Sequence, residues 1–413
     1  DGLPEPNSLR HVLDTLEQAI ADGVVSSVSF VENGGMAIAV MKQCFGNGMG
    51  FAFTGPFSSV QLFVRRPAAF LLELKRDYTG LGIPVGTVTN DGVITCGGQH
   101  ITLRELAVPY EGALESIYPQ KTQEQAAPLP VLRSKCACEA APKIGIARPR
   151  VLIPVFPGTN CEYDSARAVE RAGLIPEVLV LGNRSPQDVA DAAQRFVYAA
   201  GRSQIIFLPG GFSGGDEPDG SAKFITAFFR NAAVKDATMS LLNERDGLML
   251  GICNGFQALI KLGLVPYGRI LDPDASCPTL TFNAIGRHQS RIVRTRIAST
   301  LSPWLSKTHV DQVYSVPISH GEGRFLCPPE LLRELSEKGQ LATQYVDLAC
   351  RPTMDVAFNP NGSVWAVEGI TSPDGRIFGK MGHAERIGRD LYQNVPGDYD
   401  LRLFEAAQDY FNV

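Results

Sequence analysis

The sequence predicts an α/β protein on a mainly parallel sheet with helices on both faces, preceded by a smaller α+β domain. Two observations predict it. From residue 150 onward, short apolar runs alternate with helical patterns, as repeated strand–helix units of a parallel sheet require. Between about residues 120 and 150 the chain loses both periods and fills with Gln, Ala, Pro and small or basic residues, which marks a connection. The expected organisation is residues 1–120 as an α+β segment, 121–149 as a linker and 150–413 as the α/β domain.

Residues 9–21 carry Val12, Leu13, Leu16 and Ile20 on one helical face. A second helix is expected over 36–41, after Gly34-Gly35. Residues 51–53, 60–64, 69–74 and 85–88 read as strands, and 83–96 as a hairpin turning at Asn90-Asp91-Gly92. In the second domain, 150–156 is a buried strand, followed by the Gly158-Thr159-Asn160 turn and a helix over 163–172. Residues 176–181 form the next strand, and Ser185 caps a helix with Pro186 at its first position. Residues 204–208 are a third strand ending in Pro209-Gly210-Gly211, residues 223–234 are helical, and 247–252 is a fourth strand. In such sheets ligands bind at the carboxyl ends of the strands.

Composition narrows the function classes. The 413 residues suffice for two or three domains; 44% are hydrophobic and 20% charged, as in globular proteins with large cores. A net charge of −5 gives no electrostatic reason to expect nucleic acid or an anionic membrane as partner. No apolar run approaches the roughly 20 residues of a membrane span. The start at Asp1 has no signal-peptide pattern and no Met, which points to processing or to a piece of something longer. Nine cysteines, an odd number scattered mostly singly, suit a reducing cytoplasm better than a disulfide framework. The pair Cys136-Ala137-Cys138 lacks a second pair at zinc-ligand spacing, so no metal site is expected.

One segment carries chemistry. Cys253 stands where the apolar run Leu248–Ile252 meets a helical pattern, with Gly251 before it and Gly255 after it. That is the thiol counterpart of the nucleophile elbow: the turn is tight, and neighbouring backbone must pass close to it. The helix N-terminus behind the sulfur favours thiolate. A thiol nucleophile needs an imidazole and a carboxylate to orient it. His11 and His100 lie in the N-terminal part, and His288 and His309 in polar stretches without an evident partner. His383, after the apolar pair Ile377-Phe378, has Glu385 two residues on, pointing the same way in extended chain. Asn254 should supply one oxyanion N–H, and the glycine-rich run Pro209 to Asp216 either supplies a second or is a simple turn. Ser319-His320-Gly321-Glu322-Gly323-Arg324 either lines the pocket or caps a strand.

These residues carry a resemblance. Pro157-Gly158-Thr159-Asn160-Cys161-Glu162, the Pro209–Asp216 run, the Cys253 elbow, the His320 segment and Gly382-His383-Ala384-Glu385-Arg386 recur in order over nearly two-thirds of the chain. In this the chain resembles the class I, triad glutamine amidotransferases, a flavodoxin-like fold, and within them the glutaminase domain of long, fused phosphoribosylformylglycinamidine synthases. More loosely, Gly34-Gly35-Met36, Lys42 to Asn47 and Leu114 to Pro119 look like the end of the same enzymes' synthetase region. The resemblance implies Cys253 as nucleophile, His383 as general base and acid, and Glu385 as its orienter. It implies Gly211, Phe212 and Asn254 around the oxyanion and substrate, Gln257 behind the elbow, and His320 among the substrate-binding residues. It further implies glutamine as substrate and ammonia delivered to an ATP-dependent amidation in purine biosynthesis. ATP and magnesium would bind only at the synthetase site of the full enzyme, no cofactor is expected in this chain, and the remaining synthetase domains would be its partners. One departure is Ala384, where the family often has Pro between His and Glu.

Two rival readings remain at this level. Another cysteine hydrolase on a similar sheet, such as a peptidase or a deglycase-like protein, would explain the elbow. A glutaminase silent without its partner would explain the whole site.

Overall fold

The computed structural model describes residues 5–55, 57–120, 122, 128–212, 222–392 and 395–412. Contacts divide the chain into two compact units, 1–119 and 120–413. No helix among the described residues is long and apolar enough to cross a membrane.

The first unit packs Val31, Ala39, Val40, Cys44, Phe51 and Leu71 into a small core. Helices Pro6–Ala21, Gly35–Asn47 and Leu103–Gly112 accompany an antiparallel ribbon of Val25–Phe30 with Phe70–Leu74. Two expectations fail here. Residues 60–63 of the expected strand 60–64 belong instead to a helix, Ser59–Phe63, because Ser58 and Gln61 form a reciprocal capping box that outweighs the β-branched residues. The expected hairpin over 83–96 is also not one. Gly86–Thr89 and Val93–Cys96 are separated in the sheet by Gly50–Phe53, which pairs with both. The tight hairpin is the next one, Val93–Cys96 with Gln99–Thr102, where Gly97 and Gly98 both take positive φ, as a two-residue turn demands.

The second unit is built on a nine-stranded sheet among the described residues. Ile175–Val180, Arg150–Val155, Ile205–Leu208, Leu248–Ile252 and Ile377–Lys380 lie side by side and parallel, in that order. Numbered along the chain this is 2-1-3-4-5, the flavodoxin-like order. Beyond Ile377–Lys380 the sheet continues antiparallel through Val367–Thr371, Leu341–Val346, Gln289–Ile297 and Val313–His320. The central strands Ile205–Leu208 and Leu248–Ile252 are buried throughout, which explains their unbroken apolar sequence. The helix expected over 223–234 is two, Lys223–Phe229 and Ala232–Asn243. Asn231 breaks them by accepting from the N–H groups of Ala233 and Val234 with its side chain.

The segment expected as a linker is tied to the second unit from Pro130 onward. Gln344, fully buried, donates to the Pro130 carbonyl and accepts from the Leu132 N–H, while Arg296 donates to the Leu132 carbonyl. Further on, Ser134 donates to the Ala298 carbonyl and Ile146 to that of Phe411. These backbone groups are satisfied by the domain the segment crosses rather than by a secondary-structure period of its own.

Candidate active site

The sheet order reverses between Arg150–Val155 and Ile205–Leu208, and the loops leaving their carboxyl ends meet there. The Phe212 N–H donates to the Gly158 carbonyl at 2.8 Å, and the Asn160 N–H to that of Gly210 at 3.3 Å. Cys253 and His383 follow the next two parallel strands. All four loops therefore open on one edge of the sheet.

Cys253 has φ 53° and ψ −107°, a strained conformation for a side-chain-bearing residue, between the strand Leu248–Ile252 and the helix Asn254–Leu262. The glycines beside it are sterically required. A Cβ on Gly255 would lie 2.0 Å from the Leu208 carbonyl oxygen, and one on Gly251 2.6 Å from Leu259 Cδ1. The elbow is anchored by the Cys253 N–H, which donates to the Lys380 carbonyl at 2.9 Å. Its sulfur lies 3.9 Å from the Ser319 carbonyl oxygen.

His383 and Glu385 are buried, with Nδ1 2.7 Å from Glu385 Oε1. The His383 N–H donates to the Pro317 carbonyl at 2.9 Å, which pins the turn to the antiparallel half of the sheet. Around Gly210 the parts converge. The position a Cβ would take there lies 2.6 Å from His383 Cε1, 3.0 Å from Cys161 Sγ and 3.4 Å from Cys253 Cβ.

Electrostatics qualify the expectation of a thiolate at the helix N-terminus. Burial holds the Cys253 thiol well above the ordinary range, Cys161 and Glu385 add to this, and the Asn254 N–H opposes it too weakly. Burial also pushes Glu385 up, but the adjacent His383 and its hydrogen bond outweigh it and keep the carboxylate ionised. Burial thus favours a neutral Cys253 thiol, while Glu385 is held as a carboxylate.

The remaining sequence candidates divide. Asn254 and Gln257 are buried, and their side chains bond to each other at 2.9 Å while Gln257 Nε2 donates to the Glu322 carbonyl at 2.6 Å. The Gln257 amide thus braces the elbow helix against the Glu322 segment. The Phe212 N–H is committed to Gly158. Gly211 lies between the two loop-to-loop bonds, so its own N–H points away from the 158–160 loop. Ser213 to Asp216 lie outside the described residues.

His320 is buried with its tautomer set by Asn283. Asn283 Nδ2 donates to the carbonyls of Arg287 and His320, so its Oδ1 faces His320 Nδ1 at 3.2 Å and takes that proton. His320 Nε2 is then a buried acceptor with no partner among the described residues. Burial, then His383 and His288, push this imidazole down to about 3, so it is neutral.

Three residues that the sequence did not assign to the site lie in it. Cys161 sits at the start of the helix Glu162–Arg171, and its sulfur is 3.9 Å from His383 Nδ1. Arg386 donates to that sulfur at 2.9 Å. His288 bonds Ser319 Oγ at 3.0 Å, and its ring lies 6.2 Å from that of Phe212. The signal for Cys161 was its place in the loop after the first strand, one of the carboxyl-edge loops. Cys161, His383 and Glu385 present ligand atoms within 4.8 Å of one another, a spacing a soft metal ion would accept, but Arg386 already occupies the sulfur and Glu385 the imidazole.

A strained cysteine elbow and a buried His–Glu pair thus stand together at the carboxyl edge of a flavodoxin-like sheet. Residues 148–411 match the CobB/CobQ-like glutamine amidotransferase domain, and the chain belongs to that family. It is 32% identical over 287 residues to the phosphoribosylformylglycinamidine synthase subunit PurQ of Methanococcus maripaludis, covering 64% of this chain and 98% of the relative. The same subunit of Aquifex aeolicus is 31% identical over 247 residues, 59% of this chain and 93% of the relative. Among solved structures, PurLQS from Thermotoga maritima aligns with TM-score 0.46 and 24% identity, over 64% of this chain and 99% of that one.

Proposed function

We propose that the chain hydrolyses glutamine to glutamate and ammonia, and that the ammonia serves the amidation of formylglycinamide ribonucleotide in purine biosynthesis. The observation that carries this is the convergence of Cys253 and His383 at Gly210, with Glu385 bonded to the imidazole, in a chain whose relatives are subunits of that synthase.

The chemistry follows from the groups present. His383 takes the thiol proton as the sulfur attacks the carboxamide carbon, and Glu385 steadies the imidazolium. This answers the neutral resting thiol: the proton leaves only as the charge finds a partner. The Asn254 N–H, and better the Gly211 than the Phe212 N–H, face the developing oxyanion. His383 returns its proton to the departing nitrogen, which leaves as ammonia. It then removes a proton from water as the water attacks the thioester carbon, and returns that proton to the departing sulfur, so that the C–S bond breaks to give glutamate and the Cys253 thiol. His320, neutral with a bare Nε2, is suited to accept from an N–H of the substrate.

Residues 1–119 we read as the end of a synthetase region, whose other parts would bind ATP and magnesium and receive the ammonia. We place the enzyme in the cytoplasm, where that pathway and nine unpaired thiols both fit. One observation favours a restrained glutaminase: Cys253 is only 4% exposed and its thiol is held neutral. Glutamate release by the chain, measured with and without Cys253→Ala, tests the reading. Peptidase activity without glutaminase activity would overturn it.

A further inference from the structure

Lys380 and Glu368 are both fully buried and paired, with Nζ 3.0 Å from Oε1. A buried ion pair is a poor stabilising device. Withdrawing both charges from water offsets most of their attraction, and an apolar pair of similar volume commonly serves the fold as well. What distinguishes this pair is where its remaining hydrogen bonds go. Glu368 Oε1 accepts from the Gly382 N–H at 2.7 Å, and Lys380 Nζ donates to the Gly382 carbonyl at 2.9 Å. Both polar groups of the residue preceding His383 are thus held by one charge pair. Thr343 Oγ1 donates to the other carboxylate oxygen, fixing Glu368 in turn.

The same lysine reaches the other half of the site through its main chain, since its carbonyl accepts from the Cys253 N–H at 2.9 Å. Gly382 is also confined sterically: a Cβ there would sit 2.7 Å from both γ-carbons of Val316. The turn carrying the imidazole has Gly382 and Ala384 on either side of His383, neither of which limits the backbone as proline would.

We propose that the Lys380–Glu368 pair is a positioning device that sets the His383 imidazole relative to the Cys253 thiol. The pair touches no substrate and acts through the Gly382 peptide. The inference rests on the reading of Cys253 and His383 as nucleophile and base.

The test uses the full chain and two double variants, Lys380→Met/Glu368→Leu and Lys380→Met/Glu368→Gln. The first removes both holds without leaving a lone buried charge. The second keeps an oxygen for the Gly382 N–H. In the first, kcat for glutamine should fall about 10- to 100-fold, the cost of a misplacement of about 1 Å, with KM nearly unchanged. The second should regain part of that loss. Retention of full kcat by the first variant overturns the proposal, as does an equal loss in both. Should the first variant not fold, full kcat in the second overturns it and a reduced kcat at unchanged KM supports it.

A second readout separates this inference from the functional reading. The rate of Cys253 alkylation by iodoacetamide, followed by peptide mass spectrometry across pH, reports the imidazole's hold on the thiol without glutamine. If the wild-type chain does not turn glutamine over, the functional reading fails. The positioning role then stands if the double variants and His383→Ala shift this profile alike, and falls if only His383→Ala does.

Discussion

The Arg386 guanidinium donates from Nη2 to the sulfur of Cys161 at 2.9 Å, and the same sulfur lies 3.1 Å from Asn160 Oδ1. Cys161 thus accepts from one neighbour and donates its own proton to the other. Burial pushes this thiol up to about 11, Glu385 adds to that, and Arg386 opposes it. The pocket therefore contains two neutral thiols, of which only Cys253 occupies the strained elbow.

Cys161 is accordingly expected to be a structural thiol. Cys161→Ser keeps a donor and an acceptor in place and should leave kcat within about threefold of wild type. Cys161→Ala leaves the guanidinium short of a partner and should cost about 1 kcal/mol in urea unfolding. Loss of turnover in the serine variant would instead make Cys161 a participant in the chemistry.

Removal of the orienting carboxylate should act on turnover rather than binding. Glu385→Ala is expected to lower kcat by about 10²- to 10⁴-fold with a KM near wild type, because the imidazolium loses its counter-charge only as it forms. Cys253→Ala should leave no release above background. Steady-state glutaminase assays check both, and a Glu385→Ala variant at full kcat would remove this carboxylate from the mechanism.

Gly210 offers a steric probe. A methyl group there meets His383 Cε1 at 2.6 Å and Cys161 Sγ at 3.0 Å, so Gly210→Ala must shift the imidazole or the second thiol. The expected result is a fall in kcat of about 10- to 100-fold while the thermal midpoint drops by a few degrees. A variant with unimpaired kcat would show that the imidazole has room to spare.

Acid should expose His320. In the unfolded chain this imidazole takes a proton as the pH falls through its ordinary value near 6.5, but in the fold it does so only at about 3. Between those values the unfolded state binds more protons, so stability is full above about 6.5 and declines as the pH is lowered towards 3. The slope from this one group reaches about 1.4 kcal/mol per pH unit. His320→Asn should flatten that slope in urea midpoints taken from pH 7 to pH 5, whatever it does to the stability itself. Parallel slopes in the two proteins would refute the assignment.

Much of this protein is written locally. Strand runs such as Ile205–Leu208, the Ser185-Pro186 helix start and the Cys253 elbow follow from periods, caps and glycines within a few residues of one another. His383 with Glu385 was legible for the same reason, being two positions apart. Where local signals competed, the reading erred. At 59–63 a capping box outweighed β-branched residues, and at 83–96 a distant strand, Gly50–Phe53, took the pairing that a turn motif suggested.

The tertiary structure decided what depends on contacts across the chain. The bond from Arg386 to Cys161 spans 225 positions, and Gln344 reaches Leu132 across 212. Lys380 and Glu368 are only 12 apart, yet they meet because antiparallel strands set Gly369 opposite Lys380 and bury both charges beside each other, Gly382 and Thr343. Burial likewise reversed the expectation of a resting thiolate at Cys253, since desolvation outweighs the helix N-terminus behind it. The sequence alone marked Cys253, His383 and Glu385 as groups for the carboxyl edge. Their protonation, their bracing and the roles of Gln257 and Cys161 came from packing, because a side chain's environment is made by residues that the chain brings near only when it folds.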